Sequence, residues 1–258
     1  MKKITEASIK KHLGNDSFSF EIFDSIDSTN SYARKLLTES CNNHVIISDM
    51  QIAGRGRQGR SFYSPRNNGI YMSIILKVNK KFSELDLFTI VVATIVLDAI
   101  EKVSGLECKI KWVNDIFVDR KKICGILCEN VLSDDATFIE HIIVGIGINV
   151  ASVEDFPKEL SGVAGAMGLD IDRNLLISEI LKEIYGFTAS YEIEKYLPRY
   201  KEKSLVIDKK ISFKRNETEY TGKVISINDK GHLIVDIGAE MIELKSGEIR
   251  LFIENVEE

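Results

Sequence analysis

Hydrophobic and polar positions change period several times along the chain, and each change marks an element. Phe18-Ser19-Phe20-Glu21-Ile22-Phe23 alternates with period two, which predicts a strand. The run Asp24-Ser25-Ile26-Asp27-Ser28-Thr29-Asn30 ends it and is dense in helix-capping residues. A helix is expected next, with Tyr32, Ala33, Leu36 and Leu37 on one face. Residues 44–48 and 70–76 predict strands. From about Glu84 to Ser104, Phe88, Val91, Val92, Ile95, Ala99 and Val103 fall at helical spacing, and Gly105 supplies a stop. Residues 109–129 predict a strand, a turn, a short strand, a second turn and a longer strand. Residues 142–150 predict another strand, and 174–191 a second long helix. Tyr196-Leu197-Pro198-Arg199-Tyr200 predicts a linker. From Leu205 onward only short strands remain, with Asn228-Asp229-Lys230-Gly231 as a hairpin turn. The expected division is a mixed unit over 1–204 and a small β-barrel over 205–258.

Composition narrows the class. Hydrophobic residues make up 44% and charged residues 28% of 258, ordinary values for a globular protein. The formal net charge of −5 gives no general attraction to nucleic acid. Cys41, Cys108, Cys124 and Cys128 are too few and too scattered for a disulfide framework, and buried thiols are expected. The first residues lack an apolar signal core, and no apolar run reaches the roughly 18 residues a membrane helix needs. A cytoplasmic protein with no membrane contact is expected.

Candidate chemistry concentrates in Gly54-Arg55-Gly56-Arg57-Gln58-Gly59-Arg60. Glycine lets backbone approach a ligand, and arginine offers a charged planar fork suited to carboxylate and phosphate. The stretch matches G-x-G-x-x-G and nearly matches a P-loop, with Arg60 where lysine belongs. Both motifs require a helix straight after the glycines. Here a turn-rich segment and then a strand follow, which argues against both. An Arg/Gly loop standing alone is more often a solvated loop than a site, so its neighbours decide. Ser28, Thr29 and Asn30 exceed what a helix cap needs and leave donors and acceptors for a ligand. Gly145 and Gly147 interrupt a strand and point to a close approach by another backbone or a ligand. Lys122, beside a turn, reads on its own as a solvated charge.

Taken together, five pieces resemble the biotin protein ligases over residues 20–258. They are Ser28-Thr29-Asn30; Gln51 with the arginine loop; Lys111-Trp112-Val113-Asn114-Asp115; Lys122-Ile123-Cys124-Gly125-Ile126-Leu127; and Gly145-Ile146-Gly147-Ile148-Asn149. The resemblance implies an α+β fold. A mostly antiparallel or mixed sheet backed by helices forms a class II synthetase-like catalytic domain (1–204), followed by an SH3-like β-barrel (205–258). It implies activation of biotin by ATP and Mg²⁺ as biotinyl-5′-AMP, then transfer to a lysine of a biotin carboxyl carrier protein domain. Lys122, Arg57 and Arg55 are the catalytic candidates it implies. Ser28, Thr29, Asn30, Gln51, Gly54, Arg55, Gly56, Arg57, Lys122 and Gly125 would bind biotin. Arg57, Arg60, Phe62, Lys111, Trp112, Asn114 and Asn149 would bind ATP, while Asp115 either orients neighbouring groups or assists the metal.

Two positions depart from the family pattern. Val113 stands where proline is usual and relaxes a turn constraint. Phe62 stands where tryptophan is usual and keeps an aromatic face without the indole N–H. The nearest alternatives are a lipoate or octanoate ligase of the same fold and a biotin-sensing repressor. With about 17 residues ahead of the first strand, a form without an N-terminal DNA-binding domain is expected, and no DNA partner. Family members often pair through sheet edges, so a homodimer is also envisaged.

Overall fold

The structure, a computed structural model, describes residues 1–37, 41–151, 156–160, 162–216 and 218–252. Two sheets carry it. The larger contains β1 (Ser19–Phe23), β2 (His44–Ser48), β3 (Gly69–Lys80), β4 (Lys109–Lys111), β5 (Asp115–Val118), β6 (Lys121–Leu132) and β7 (Ile139–Asn149), in spatial order β1-β2-β3-β7-β6-β5-β4. Only the β1–β2 pair is parallel. The smaller sheet runs antiparallel through β8 (Lys210–Arg215), β9 (Thr218–Ile227), β10 (Leu233–Asp236), β11 (Met241–Leu244) and β12 (Ile249–Leu251), in order β11-β10-β9-β8-β12. This is the expected mixed, helix-backed sheet followed by a small all-β unit. The last six residues of the 205–258 segment lie outside the described residues.

Side-chain alternation sorts the strands between two cores. Ile70, Met72, Ile74 and Leu76 of β3 face the main core. That core is closed by α1 (Glu6–Leu13), α3 (Phe88–Ser104) and α4 (Arg173–Ser190). Ile75 faces the opposite side and packs with Ile46, Ile143 and Ala33 beneath α2 (Thr29–Leu36). Central strands covered on both faces need apolar residues at nearly every position. That accounts for the long apolar runs in β3 and β7, interrupted by Ser73 in the first and by Glu140 and His141 in the second.

The segment expected as a linker is instead α5 (Tyr196–Glu202), with Leu197 and Tyr200 buried. Pro198 sits in its first turn, where a missing N–H breaks no helical bond. Arg199 fastens this helix to α3, through Asp98 at 3.0 Å and Glu101 at 2.8 Å. Helix α1, in the short polar segment where the sequence predicts one or two helical turns, buries Ile9 and Leu13 against α4. Among the described residues, no helix is long and apolar enough to cross a membrane.

His141, on β7, is almost fully buried, and its Nε2 donates to the Cys41 carbonyl at 3.0 Å. Burial pushes its pKa down. Glu140, 3.9 Å away, and the bond to the Cys41 carbonyl oppose that, and Lys77 adds to it. The folded protein therefore resists protonation at this ring more than the unfolded chain does. The resulting stability is full above the ordinary histidine value of about 6.5 and is lost as pH falls through the lower folded value. The melting temperature of the wild type is expected to fall more between pH 7.5 and pH 5 than that of His141→Gln. Parallel curves would remove His141 as a source of the pH dependence.

Candidate active site

Ser28 caps α2, its side chain accepting from the Ser31 N–H at 3.4 Å. Thr29 and Asn30 are thereby left as buried residues of the first turn, free of the capping role. Gln51 lies against them: its Oε1 accepts from the Thr29 N–H at 2.9 Å and from Thr29 Oγ1 at 3.2 Å. Its Nε2 donates to Ser64 Oγ at 2.9 Å. The Gln51 amide thus has a fixed orientation at one end of a cavity of about 930 Å³.

The arginine loop borders this cavity. A single 3-10 turn at Arg57–Gly59 replaces the helix that a phosphate-binding glycine motif requires. Gly54 is buried, and a Cβ there would stand 2.4 Å from the Phe62 carbonyl, so the loop closes on itself only because Gly54 has no side chain. Arg55 makes a two-pronged ion pair with Glu129, at 3.2 and 3.1 Å. Arg57 donates to Asn114 Oδ1 at 3.0 Å, and Asn114 donates in turn to the Ile126 carbonyl at 2.7 Å. Arg60 pairs with Glu248 beside β12.

Strands β5 and β6 supply the opposite wall. The Lys122 backbone is pinned between Val163 and Gly165, its N–H donating at 2.9 Å and its carbonyl accepting at 2.9 Å. Its Nζ lies 2.8 Å from Asp115 Oδ1, a close ion pair that lacks hydrogen-bond geometry. Burial lowers the pKa of Lys111, with Lys122 and Arg60 adding to the effect and Asp115 and Glu248 opposing it. Trp112 ties the two sheets together through Nε1, which donates to the Gly231 carbonyl at 2.9 Å. The Trp112–Val113 peptide is cis. Among the described residues no cluster of three His, Cys, Asp or Glu side chains stands ready for a metal.

Gly125 of β6 and Gly147 of β7 are directly opposed in register, and the Phe62 ring lies over both. A Cβ would fall 2.5 Å from that ring at Gly147 and 3.3 Å at Gly125. The same hypothetical Cβ at Gly125 is 3.1 Å from Lys122 Nζ, so this glycine also leaves room for the ammonium. The sequence-predicted residues Ser28, Thr29, Asn30, Gln51, Arg55, Gly56, Arg57, Arg60, Phe62, Lys111, Trp112, Asn114, Asp115, Lys122 and Gly125 all line the one cavity. Gly54 and Asn149 do not. Asn149 is buried and donates to the Gly165 carbonyl at 2.9 Å, and its Oδ1 has no partner.

Other polar residues around the cavity are not singled out by sequence. Ser73 is one, a hydroxyl inside an otherwise apolar strand, and that contrast is its signal. Glu129 is another; it shares strand parity with Gly125 and Leu127, which face the cavity. Lys209, Lys210 and Arg250 also line it, from the smaller sheet and its entry. No pattern in the sequence alone connects them to the residues of the larger sheet that line the same cavity.

A model of the biotin/lipoate A/B protein ligase family matches residues 22–149. The bifunctional ligase/repressor BirA of Bacillus spizizenii is 30% identical over 260 residues, covering 96% of this chain and 79% of its own. The biotin–[acetyl-CoA-carboxylase] ligase of Mycobacterium tuberculosis is 23% identical over 95% of each chain. A solved structure of the Aquifex aeolicus biotin protein ligase, in complex with biotin and ATP, aligns with a TM-score of 0.76 at 26% identity, covering 91% of this chain and 98% of that one. The clustered side chains and the breadth of these matches lead to one conclusion: the chain belongs to the biotin/lipoate A/B protein ligase family, among its biotin protein ligases, and is a ligase enzyme.

Proposed function

We propose that the enzyme joins biotin to protein in two steps. A biotin carboxylate oxygen attacks the α-phosphate of ATP, the bond to the bridging oxygen breaks, and pyrophosphate leaves. The neutral ε-amine of an acceptor lysine, on a biotin carboxyl carrier domain, then attacks the carbonyl of biotinyl-5′-AMP. An amide forms, the amine loses a proton and AMP leaves. The first step sets an anion against a polyanion, so cations held at the meeting point lower its barrier. Lys122 fills that role in this reading, with Arg57 on the wall of the same cavity. Thr29, Gln51 and Ser28 face the neutral ring end of biotin, and Phe62, Trp112, Lys111 and Asn114 the nucleotide. The arginine loop would cover the mixed anhydride and keep water from it.

One observation carries the proposal: Thr29 and Gln51, which suit a neutral polar ring, share a single cavity with Lys122 and Arg57, which suit an acid and a phosphate. Residues 1–204 would form the catalytic unit and 205–258 an SH3-like unit held against it. Supporting this, Trp112 bonds Gly231, and the Ile110 carbonyl accepts from the Leu205 N–H at 2.8 Å. Mg²⁺ would arrive with the nucleotide. Asp115, engaged by Lys122, does not by itself make a metal site.

The experiment is to incubate the protein with biotin and ATP and weigh the bound species by mass spectrometry, with lipoate as competitor. Bound biotinyl-5′-AMP, undiminished by lipoate, is the expected result. Bound lipoyl-AMP in the competition would instead favour a lipoate ligase.

A further inference from the structure

The arginine loop's two ends are connected by a hydrogen-bonded path through the body of the domain. From the loop's start, the Arg55 guanidinium grips both oxygens of Glu129. Glu129 Oε2 also accepts from Asn30 Nδ2 at 2.8 Å. With its amide turned that way, Asn30 presents Oδ1 to Ser73 Oγ at 2.6 Å, and Ser73 Oγ also lies 2.7 Å from Thr29 Oγ1. Thr29 is bonded to Gln51, Gln51 to Ser64, and Ser64 Oγ donates to the Phe62 carbonyl at 2.9 Å, at the loop's far end. The loop's closing backbone bond, Phe62 N–H to the Gly54 carbonyl at 2.8 Å, completes the circuit.

Glu129 is the one carboxylate in that circuit, and its side chain is only 15% exposed. An asparagine oxygen can accept but not donate. The single Ser73 proton therefore belongs on Asn30, and Thr29 must use its own proton within the protein, toward Ser73 or Gln51. The Glu129 carboxylate and, at 3.4 Å, the Leu127 carbonyl both accept from Asn30 Nδ2 and together turn its Oδ1 toward Ser73, whereas the Gln51 amide is turned separately by the Thr29 N–H. Gly145 makes room for this arrangement: a Cβ there would stand 2.1 Å from Asn30 Oδ1. Arg34 of α2 approaches the same carboxylate at 3.4 Å, a second cation on it.

We propose that Glu129 is a positioning residue: it anchors the start of the arginine loop through Arg55 and holds the Asn30 amide, and through it the Ser73 hydroxyl, against the Thr29–Gln51 pair that faces the neutral end of the substrate. It touches no reacting atom. This rests on the ligase reading for its consequence in catalysis, but not for its consequence in the loop.

The test uses the intact protein and two readouts. Trypsin cuts after arginine, so the rate of cleavage at residues 55–60 reports how well the loop is held, with no ligand present. Glu129→Gln keeps the shape and removes the charge. It is expected to speed cleavage in the loop about tenfold, the low end for a charge-assisted contact, because Arg55 is partly exposed and screened. The second readout is pyrophosphate release. Glu129→Gln is expected to raise the KM for biotin by about tenfold and to leave kcat within about twofold, since Lys122 is untouched. Glu129→Asp should recover part of both effects, which a merely structural defect would not allow. Should Glu129→Gln not fold, Arg55→Gln carries the test by itself, with faster cleavage at Arg57 and Arg60 expected. Wild-type cleavage rates in the folded variant, or a fall in kcat at unchanged KM, would overturn the proposal. If the wild type releases no pyrophosphate with biotin and ATP, the ligase reading fails instead, and the cleavage comparison still decides the role of Glu129.

Discussion

Lys122→Ala is expected to slow pyrophosphate release from biotin and ATP by about 10²–10³-fold, the usual cost of removing one preorganised group that stabilises transition-state charge. The size of the effect follows from placement. The Lys122 backbone is fixed on both sides by Val163 and Gly165, so the side chain projects from a rigid strand. Its ammonium is held at the cavity wall by Asp115, 2.8 Å away, and the missing side chain of Gly125 keeps its surroundings open. An incoming carboxylate and phosphate can compete with Asp115 for this cation. The ion pair therefore keeps the ammonium aimed when no ligand is bound. The side chain is 29% exposed and belongs to no core cluster, so the alanine variant should fold with a near wild-type melting temperature. Stopped-flow or coupled pyrophosphate assays at saturating biotin and ATP measure the loss. A variant that retained wild-type kcat would remove Lys122 from the chemistry.

Much of this is legible in the sequence itself. A period-two pattern locates β1, short apolar runs locate β2 and β7, and a period of 3.6 locates the two long helices, because each buries one defined face or both. The five separated motifs point to one site because the sheet order brings β6 and β7 next to β3, and the arginine loop leads into β3. Helix α5 was not legible. Its Pro198 reads as a breaker unless it is known to fall in the first turn, and the ion pairs of Arg199 that hold the helix come from α3, 98 to 101 positions along the chain. The partners of the loop arginines were equally hidden. Arg55 and Arg60 read as cations awaiting a ligand, yet in the fold both face carboxylates, Glu129 and Glu248, supplied by β6 and by the turn before β12. Charge complementarity between distant strands leaves no periodic trace in a sequence.

Arg173→Ala is expected to destabilise the protein by about 3–5 kcal/mol, the range for removing one partner of a buried, hydrogen-bonded charge. Arg173 opens α4 and is 1% exposed. Its Nη1 donates to Asp49 Oδ1 at 3.0 Å and to the Gly69 carbonyl at 3.0 Å, and its Nη2 to the Lys2 carbonyl at 3.0 Å. Truncation opens a cavity the size of a guanidinium and strips two carbonyls of their donor. Asp49 keeps its bond from the Asn67 N–H at 3.2 Å and a longer approach from Arg66 at 3.9 Å, which places the expected loss toward the lower end of the range. The three acceptors lie on the N-terminal segment, on the turn after β2 and at the start of β3. Asp49 is two residues from Gln51, so the same guanidinium that closes the core also fixes the strand end that presents the Gln51 amide to the cavity. Urea denaturation should show a lower midpoint with an unchanged slope, because the folded state is weakened and the surface exposed on unfolding is not altered. Arg173→Met, which refills most of the volume but cannot donate, should recover only the cavity part of the loss. Full recovery by methionine would show that packing, and not the three donated bonds, holds this junction.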